Sequence, residues 1–537
     1  MSPEAAAGVV EQPQIDGGPT AHPELDVAEV RTLALRGVGA MLLRSIGQRG
    51  LQMVGNILLA RWLAPETFGF YAIVSFIVGM AGFLSDLGLG ASLVQRKEAL
   101  QEKDLRTAFS LSFLLNVVVV GTLLAVAGPL IHAYDIDAGN VAAVQVLAAT
   151  ILFSTFVAVP AIRLERQLRF KELSIADVAG SLAYVFVAIP LAFQFKDPHV
   201  AQEGAASAVW VFVWATVASR VVYTIVLNLM SRWRPRFGLD VRAMRSMMSF
   251  GLPYQANGLV NALKDNFIPT FIAFALTAQS VGYVTWAVGL ATNALFLLPI
   301  VSKVTFPAYA RLQHDREALA DAIEKSIKWV AATVFPATLF LAALARQIVE
   351  HVYGPKWFPG LTSFYLFCIP MLNAAYSTVA ISALYGLGRA KTVLRLTMIW
   401  AAVGWALAVP LTLWIGMNGF AVAMSLVSCL SILAVSALRR EIKIRILAPL
   451  VRILIIAAIP AALIGAVSHM VRDSFQLAGL AAAGGFAYLA LLYLAGEMAE
   501  VRDLIGRLGF TRRKAVAAGA STIGTLILML GLQVLHV

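Results

Sequence analysis

Charged residues are scarce in this sequence, where they make up 13% of the 537 residues against 59% for hydrophobic ones. Soluble domains carry about 25% charged residues, so the composition excludes an ordinary soluble enzyme. The mean hydropathy of +0.79 and repeated apolar runs of about 20 residues indicate a membrane protein with many transmembrane helices. The predicted fold class is therefore all-α.

The sequence also lacks the residue patterns of metal sites and of common enzymes. Its two cysteines, Cys368 and Cys429, both lie inside apolar runs, which argues against a disulfide framework or a cysteine metal site. Neither the phosphate-binding motif G-x-x-x-x-G-K-[ST] nor the zinc motif H-E-x-x-H occurs, so ATP hydrolysis and metalloprotease activity are not expected. We therefore predict no enzymatic activity, no cofactor and no metal.

Lysine and arginine are nearly absent from every second loop between the apolar runs. By the positive-inside rule, this alternation places the N-terminus and the basic loops in the cytoplasm. Orientation in the membrane then accounts for the net charge of +12, so we expect no nucleic-acid partner. The basic loops lie near residues 100, 167, 238, 315, 391, 441 and 508.

The apolar runs predict fourteen transmembrane helices and one further segment. That segment, residues 515–536, could form a fifteenth span or lie re-entrant or at the interface. Residues 1–33 contain four prolines and no apolar run, so we expect a disordered cytoplasmic tail rather than a signal peptide. The fourteen spans are predicted at 37–62, 68–92, 107–131, 141–162, 175–194, 205–229, 248–275, 281–303, 326–349, 361–385, 394–415, 417–438, 447–468 and 477–496.

Two halves of the chain resemble each other. Leu63 is followed six residues later by Gly69 and an aromatic residue, and Leu276 is followed in the same way by Gly282, 213 positions further on. Other matches recur at an offset of 220, as a duplication with loop insertions would leave. Six spans per half predict two lobes related by an axis along the membrane normal. The predicted parts are the tail 1–33, a first lobe 34–230, a basic linker 231–245, a second lobe 246–440 and additional helices 441–537.

The stretch Phe250–Thr270, within the predicted span 248–275, has a polar side near mid-membrane. A charge facing lipid there costs at least ~2.5 kcal/mol, so this side should face a helix bundle or a watery cavity. A buried Lys264–Asp265 pair that only fixes helix packing is the alternative. The polar residues, all within about 60° of Asn261 on the helical wheel, are Tyr254, Asn257, Asn261, Lys264 and Asp265.

The first predicted span carries a similar polar side, formed by Ser45, Arg49, Gln52 and Asn56. Both polar spans come first in their half, so the predicted axis could bring their polar sides face to face. Arg220 is a further cation near mid-depth of its span. It would line the same space or pair with Asp86 or with a backbone carbonyl.

Four further stretches carry a resemblance to a known family: SDLGLGASLVQRKEALQEKDL (85–105), RPRFGLD with SFGLP (234–253), FPAYARLQHDREAL (306–319) and GPKW (354–357). They resemble the polysaccharide transporter or Wzx-type flippase family, which belongs to the multidrug/oligosaccharidyl-lipid/polysaccharide exporter superfamily. The resemblance runs from about residue 35 to 440. It implies two six-helix lobes around a central cavity, and alternating access that flips polyprenyl-diphosphate-linked oligosaccharides from the cytoplasmic to the periplasmic leaflet of the bacterial inner membrane.

A diphosphate headgroup would need fixed cations in that cavity, since its charge must cross about 30 Å of hydrocarbon. Asp265 and Asp86 are candidates to hold a coupling proton or sodium ion, unless they only balance a nearby cation. The implied partners are an undecaprenyl-diphosphate type lipid-linked oligosaccharide and membrane lipids, with a polysaccharide polymerase and a chain-length regulator left open. The candidate substrate contacts are Arg49, Lys264, Arg220, Gln52, Asn56, Asn257, Asn261 and Tyr254.

Three other functions are left open. A lipid II flippase would share the superfamily and the cationic cavity. A multidrug exporter would prefer an acidic, aromatic cavity, against which Arg49 and Lys264 argue. A membrane-embedded glycan polymerase would be expected to carry large outer loops with clustered Arg, Asp or His, and these loops are short.

Overall fold

The described part of the chain begins at residue 50 and is helical wherever it has regular secondary structure. The tail 1–33, most of the predicted span 248–275 and the segment 515–536 lie outside it. The computed structural model describes residues 50–86, 88–95, 101–133, 140–167, 169–196, 204–249, 273–296 and 312–497, together with 251, 255, 298, 301, 305 and 309.

Eight helices, α1 to α8, precede residue 232 in the described residues. A break at Thr150 separates α5 from α6, which together form one apolar segment long enough to cross a membrane, Val141–Arg166. In chain order the helices are 50–62, Pro65–Asp86, Leu89–Gln95, Glu102–Ala133, Val141–Ala149, Ile151–Arg166, Phe170–Phe193 and Ala205–Ser231.

The rest of the chain starts with residues 232–240, which have no regular secondary structure, and then the short helix α9 at 241–249. A short helical piece, Ala273–Ala275, precedes α10. A π-helical turn, Val349–Tyr353, and a 3₁₀ turn, Pro355–Gly360, connect α11 to α12. Helices α10 to α17 are Ala278–Thr292, Arg316–Ile348, Leu361–Gly386, Ala390–Ile415, Met417–Cys429, Ile432–Glu441, Leu447–Val467 and Ser474–Leu494.

Eleven helical segments in the described residues are long and apolar enough to cross a membrane. The predicted all-α membrane protein with many spans is therefore confirmed, while the number fourteen stays a prediction. The predicted bounds agree closely for α12, which is predicted at 361–385 and is Leu361–Gly386. They agree less well for α11, which is predicted from 326 and begins at Arg316. Helix α10 matches only the first part of the predicted span 281–303, of which several residues lie outside the described ranges.

Buried apolar side chains join the two halves in one cluster. Val74 and Ile77 of α2 belong to it, together with Val281 and Val284 of α10. A separate cluster packs α1 against α7 and α8, and another holds α11, α12, α15 and α16 together. Small residues let these helices approach closely, as expected in a membrane, where apolar surfaces gain little by leaving lipid.

Candidate functional site

The loop charges give the helix bundle an orientation. We call the end with the basic loops the inner end and the opposite end the outer end, following the positive-inside rule. Helix α2 then begins at the outer end with Pro65, and α8 reaches the inner end at Ser231.

Helix α1 has an exposed polar side and a packed apolar side. Gln52 and Asn56 are exposed, whereas Ile57 and Leu59 are buried. Gly55 faces α7, where an added Cβ would lie 3.2 Å from a methyl group of Val185. The residues that share the predicted polar side of the first span therefore lie on its open side in the described part of the helix.

Helix α7 extends this polar side. The Gln52 amide donates a hydrogen bond to the Ser181 hydroxyl at 3.4 Å. The Ser181 hydroxyl in turn donates to the backbone carbonyl of Asp177 at 2.9 Å. This chain of polar groups fixes the position of the Ser181 oxygen beside α1.

Arg220 lies on α8, which packs closely on α7 and is bonded to α2. Arg220 is exposed. One turn away, the Thr216 hydroxyl shares a 2.8 Å hydrogen bond with the Tyr71 hydroxyl of α2. At 100° per residue, Arg220 and Thr216 lie about 40° apart on the helix. The structure thus places Gln52, Asn56 and Arg220 on neighbouring helices of the first half.

Six of the predicted site residues lie outside the described residues, so the prediction that Arg49 faces Lys264 stays a prediction. These six are Arg49, Tyr254, Asn257, Asn261, Lys264 and Asp265. Asp86 is the last residue of α2, but its side chain is outside what the structure describes.

The two halves meet at the outer end through a pair of glycines. A Cβ added to Gly69 of α2 would overlap the carbonyl oxygen of Ala278 in α10, and one added to Gly282 would overlap the carbonyl oxygen of Pro65. Gly69 and Gly282 are 213 positions apart, and so are Pro65 and Ala278. Such reciprocal contact between equivalent residues is what a twofold axis produces. The predicted repeat would give such a contact, and the repeat itself stays a prediction.

A second contact across the halves closes the C-terminal end of α1. The Lys356 ammonium donates to the carbonyls of Arg61 at 2.9 Å and Leu63 at 2.7 Å, and the Trp357 indole donates to Ala60 at 2.8 Å. The last carbonyls of a helix lack partners within it and carry partial negative charge, so a cation stabilises them. The motif GPKW thus caps a helix almost 300 residues earlier in the chain.

Arg61 makes a contact in the opposite direction, from α1 to the second half. Its guanidinium group donates to the carbonyls of His351 at 2.9 Å and Val352 at 3.1 Å, in the π-helical turn that ends α11. Trp357 is fully buried and stacks on Trp286 with ring centroids 5.3 Å apart. We call the contacts of Arg61, Lys356 and Trp357 the outer clasp.

Sequence reasoning did not assign these residues a role. GPKW was noted only as part of the family resemblance, and Arg61 was not singled out. The clasp joins groups that are 290 or more positions apart in sequence, and local patterns give no sign of such a pairing.

Helix α2 contacts the start of the second half at the inner end as well. The Gln255 amide donates a hydrogen bond to the carbonyl of Phe83. An added Cβ at Gly88, in the stretch SDLGLG, would lie 2.5 Å from the carbonyl oxygen of Gly251. Helix α2 therefore touches the second half near both of its ends.

Comparison with known proteins identifies the family. A family model described as "Polysaccharide biosynthesis protein" matches residues 58–362, which is more than half of the chain. The chain belongs to this polysaccharide biosynthesis protein family. The family resemblance stated from the sequence is therefore confirmed.

Two similar proteins come from bacteria. The chain is 27% identical over 297 residues to the teichuronic acid biosynthesis protein TuaB of Bacillus subtilis (strain 168), covering 55% of this chain and 57% of TuaB. It is 26% identical over 328 residues to the lipopolysaccharide biosynthesis protein WzxC of Escherichia coli (strain K12), covering 60% of this chain and 63% of WzxC. The chain thus spans less than two thirds of the length of these relatives.

Among solved structures, the fold is similar to that of the lipid II flippase MurJ in its inward closed conformation. The TM-score is 0.67 over 86% of this chain and 100% of MurJ, with 14% sequence identity. At this level of identity the similarity establishes the fold alone.

Proposed function

We propose that this protein carries a polyprenyl-diphosphate-linked oligosaccharide from the inner to the outer leaflet of a bacterial membrane by alternating access. The observation that carries the proposal is the exposed polar side of α1, with Gln52 and Asn56, in a family member whose fold is similar to that of a lipid flippase. A polar side within an apolar span needs water or a polar ligand. A saccharide headgroup offers hydroxyl groups that suit these amides.

In this proposal Arg49, Lys264 and Arg220 bind the diphosphate. Arginine suits phosphate because its planar group donates two parallel hydrogen bonds, and lysine acts as a point charge. The outer clasp and the Gly69–Gly282 contact hold the outer end closed until the lobes rock about the axis between them. Asp265 and Asp86 are proposed to couple this motion to an ion gradient.

The proposal is tested with the purified full chain in vesicles that contain a polyprenyl-diphosphate-linked oligosaccharide. An impermeant glycosidase added outside cleaves only molecules in the outer leaflet. Without transport, cleavage should stop at about half of the substrate; with this protein, it should go to completion. Cleavage that stops at half with folded protein would contradict the proposal. Lengthening of the glycan in the same vesicles would favour a polymerase instead.

A further inference from the structure

A cavity of about 480 Å³ opens beside α9 at the inner end of the bundle. This volume lies within the range of about 300–1,000 Å³ that is typical of ligand pockets. Among the described residues, its wall contains two arginines on consecutive turns, together with two serines and a valine. These residues are Val241, Arg242, Arg245, Ser246 and Ser249.

The cavity residues share one side of α9, and the opposite side of the helix is packed against the bundle. Ala243 and Met247 are buried in an apolar cluster with Leu89 of α3 and Leu105 of α4. Residues three and four positions apart share a side of a helix, so the arginines and serines all face away from that cluster. The cavity wall is therefore held by packing.

The segment before α9 is bonded to the inner end of α4. The Gly238 amide donates to the Ser110 hydroxyl at 2.9 Å, and the Asp240 amide donates to the Thr107 hydroxyl at 3.0 Å. The Asp240 carboxylate caps α9 by accepting from the Ala243 amide at 2.9 Å. This backbone hydrogen bond holds the pKa of Asp240 below its usual range, so the carboxylate stays ionised as a helix cap.

The side chains that precede α9 suit the level of the lipid headgroups. Phe237 and Leu239, just before α9, are 67% and 60% exposed, and Arg234 and Arg236 are exposed beside them. Alternation of exposed apolar and basic side chains suits the interface of a membrane, where the apolar groups enter the lipid and the cations stay near phosphate. A ligand in this cavity would therefore come from the inner leaflet.

The two guanidinium groups determine the chemistry of the ligand. The Ser249 hydroxyl already donates to the Ser246 carbonyl at 2.9 Å, so the serines supply room and polarity rather than the main donors. Arg242 and Arg245 are both exposed and can each present two parallel N–H groups to phosphate oxygens. Two adjacent guanidinium groups therefore match a diphosphate better than a single phosphate.

We propose that Arg242 and Arg245 bind the diphosphate of the lipid-linked substrate at the inner membrane surface, before it moves into the bundle. This inference rests on the proposed function. The order of the chain supports it, because residues 250–270, the predicted polar stretch that contains Lys264, follow directly after α9 in the sequence. Substrate held at α9 would thus lie at the inner start of the predicted polar path.

The test measures binding to the full-length protein in nanodiscs of phosphatidylcholine. Undecaprenyl diphosphate, undecaprenyl monophosphate and phosphatidylglycerol are titrated separately, with native mass spectrometry as readout. The variant R242A/R245A removes both cavity cations. The matched control R234A/R236A removes two exposed arginines of the same segment that do not line the cavity.

We expect R242A/R245A to weaken binding of the diphosphate tenfold or more and R234A/R236A to change it less than twofold. The monophosphate should bind more weakly than the diphosphate to the wild-type protein. Equal binding by R242A/R245A, or an equal loss in R234A/R236A, would overturn the site. Binding of phosphatidylglycerol as tight as that of the diphosphate would overturn the assignment to the substrate.

The failure of this site differs from the failure of the proposed function. If R242A/R245A loses diphosphate binding while wild-type vesicles show no transport, the binding site stands and flipping is wrong. If wild-type vesicles transport substrate and R242A/R245A binds diphosphate normally, flipping stands and this site is wrong.

Discussion

The outer clasp predicts that Lys356 holds the outer end of the bundle closed. Its ammonium group donates to two carbonyls at the end of α1, at 2.9 and 2.7 Å. Lys356→Met keeps an unbranched side chain that is one atom shorter, and removes both hydrogen bonds and the charge. The outer end should then open more often, because the carbonyls of Arg61 and Leu63 regain access to water only in the open state.

The size of the effect follows from the strength of these bonds. Hydrogen bonds to charged groups contribute ~1.5–3 kcal/mol each. Because the two bonds share one half-buried ammonium group, we take ~2–3 kcal/mol for the pair. At ~1.4 kcal/mol per factor of ten, their loss changes the ratio of closed to open protein about 30- to 140-fold.

Distances between spin labels measure this ratio. Glu66 of α2 and Gln279 of α10 are exposed at the outer end and occupy equivalent positions, 213 residues apart. Labels are attached to cysteines at these two positions after Cys368 and Cys429 have been replaced. The protein with Lys356 should show mainly a short distance, and Lys356→Met should add a longer component.

The control is Lys325→Met on the inner half of α11. Lys325 also makes a short ionic contact, 2.7 Å from Asp321, but it is far from the clasp in the bundle, since α11 runs from the inner end to the outer end. Unchanged distances in Lys356→Met, or the same new component in Lys325→Met, would refute the reasoning.

Three further predictions concern the helix seam, the topology and the gradient. Gly69→Val should force α2 and α10 apart, with lower thermal stability and loss of export. Gly79→Ala on the same helix should be tolerated, because an added Cβ there has no neighbour within 4 Å. Equal stability of both variants would contradict the close contact. A cysteine at Gly238 should not react with an impermeant reagent in intact cells, and strong external labelling would refute the assigned orientation. Asp265→Asn or Asp86→Asn should remove the dependence of transport on a proton or sodium gradient, and full gradient-dependent transport by both variants would exclude both residues as the coupling site.

The sequence predicted most helix ends well where lipid determines them. Helix α8, predicted at 205–229, is Ala205–Ser231, because hydropathy falls where the chain leaves the hydrocarbon. Helix α11, predicted from 326, begins at Arg316. Its first turns carry Glu317 and Asp321, so they lie beyond the apolar run, and the Asp315 carboxylate caps them by accepting from the amides of Glu317 and Ala318.

Contacts between distant segments were beyond the reach of the sequence. The repeat placed Gly69 and Gly282 at equivalent positions, but only the structure shows that they meet. The pairing of Lys356 with the end of α1 likewise depends on how the two halves dock. Polar periodicity, in contrast, is a local property. It predicts that Gln52 and Asn56 share one side of α1, and both residues are exposed, while their contact with substrate stays a prediction.

The central claim is that Arg49 and Lys264 carry the diphosphate through the bundle. If charge is what matters, Arg49→Ala and Lys264→Ala should abolish glycosidase-accessible transport in vesicles, Arg49→Lys should keep part of it, and thermal stability and yield should stay near those of the wild-type protein. A role in packing alone predicts that activity falls only in proportion to stability.

The measurement that tests this most directly is transport by Arg49→Ala and Lys264→Ala in vesicles loaded with equal amounts of folded protein. The account predicts that cleavage of the lipid-linked oligosaccharide stops at about half for both variants and goes to completion for the wild-type protein. Completion at the wild-type rate by both alanine variants would contradict it.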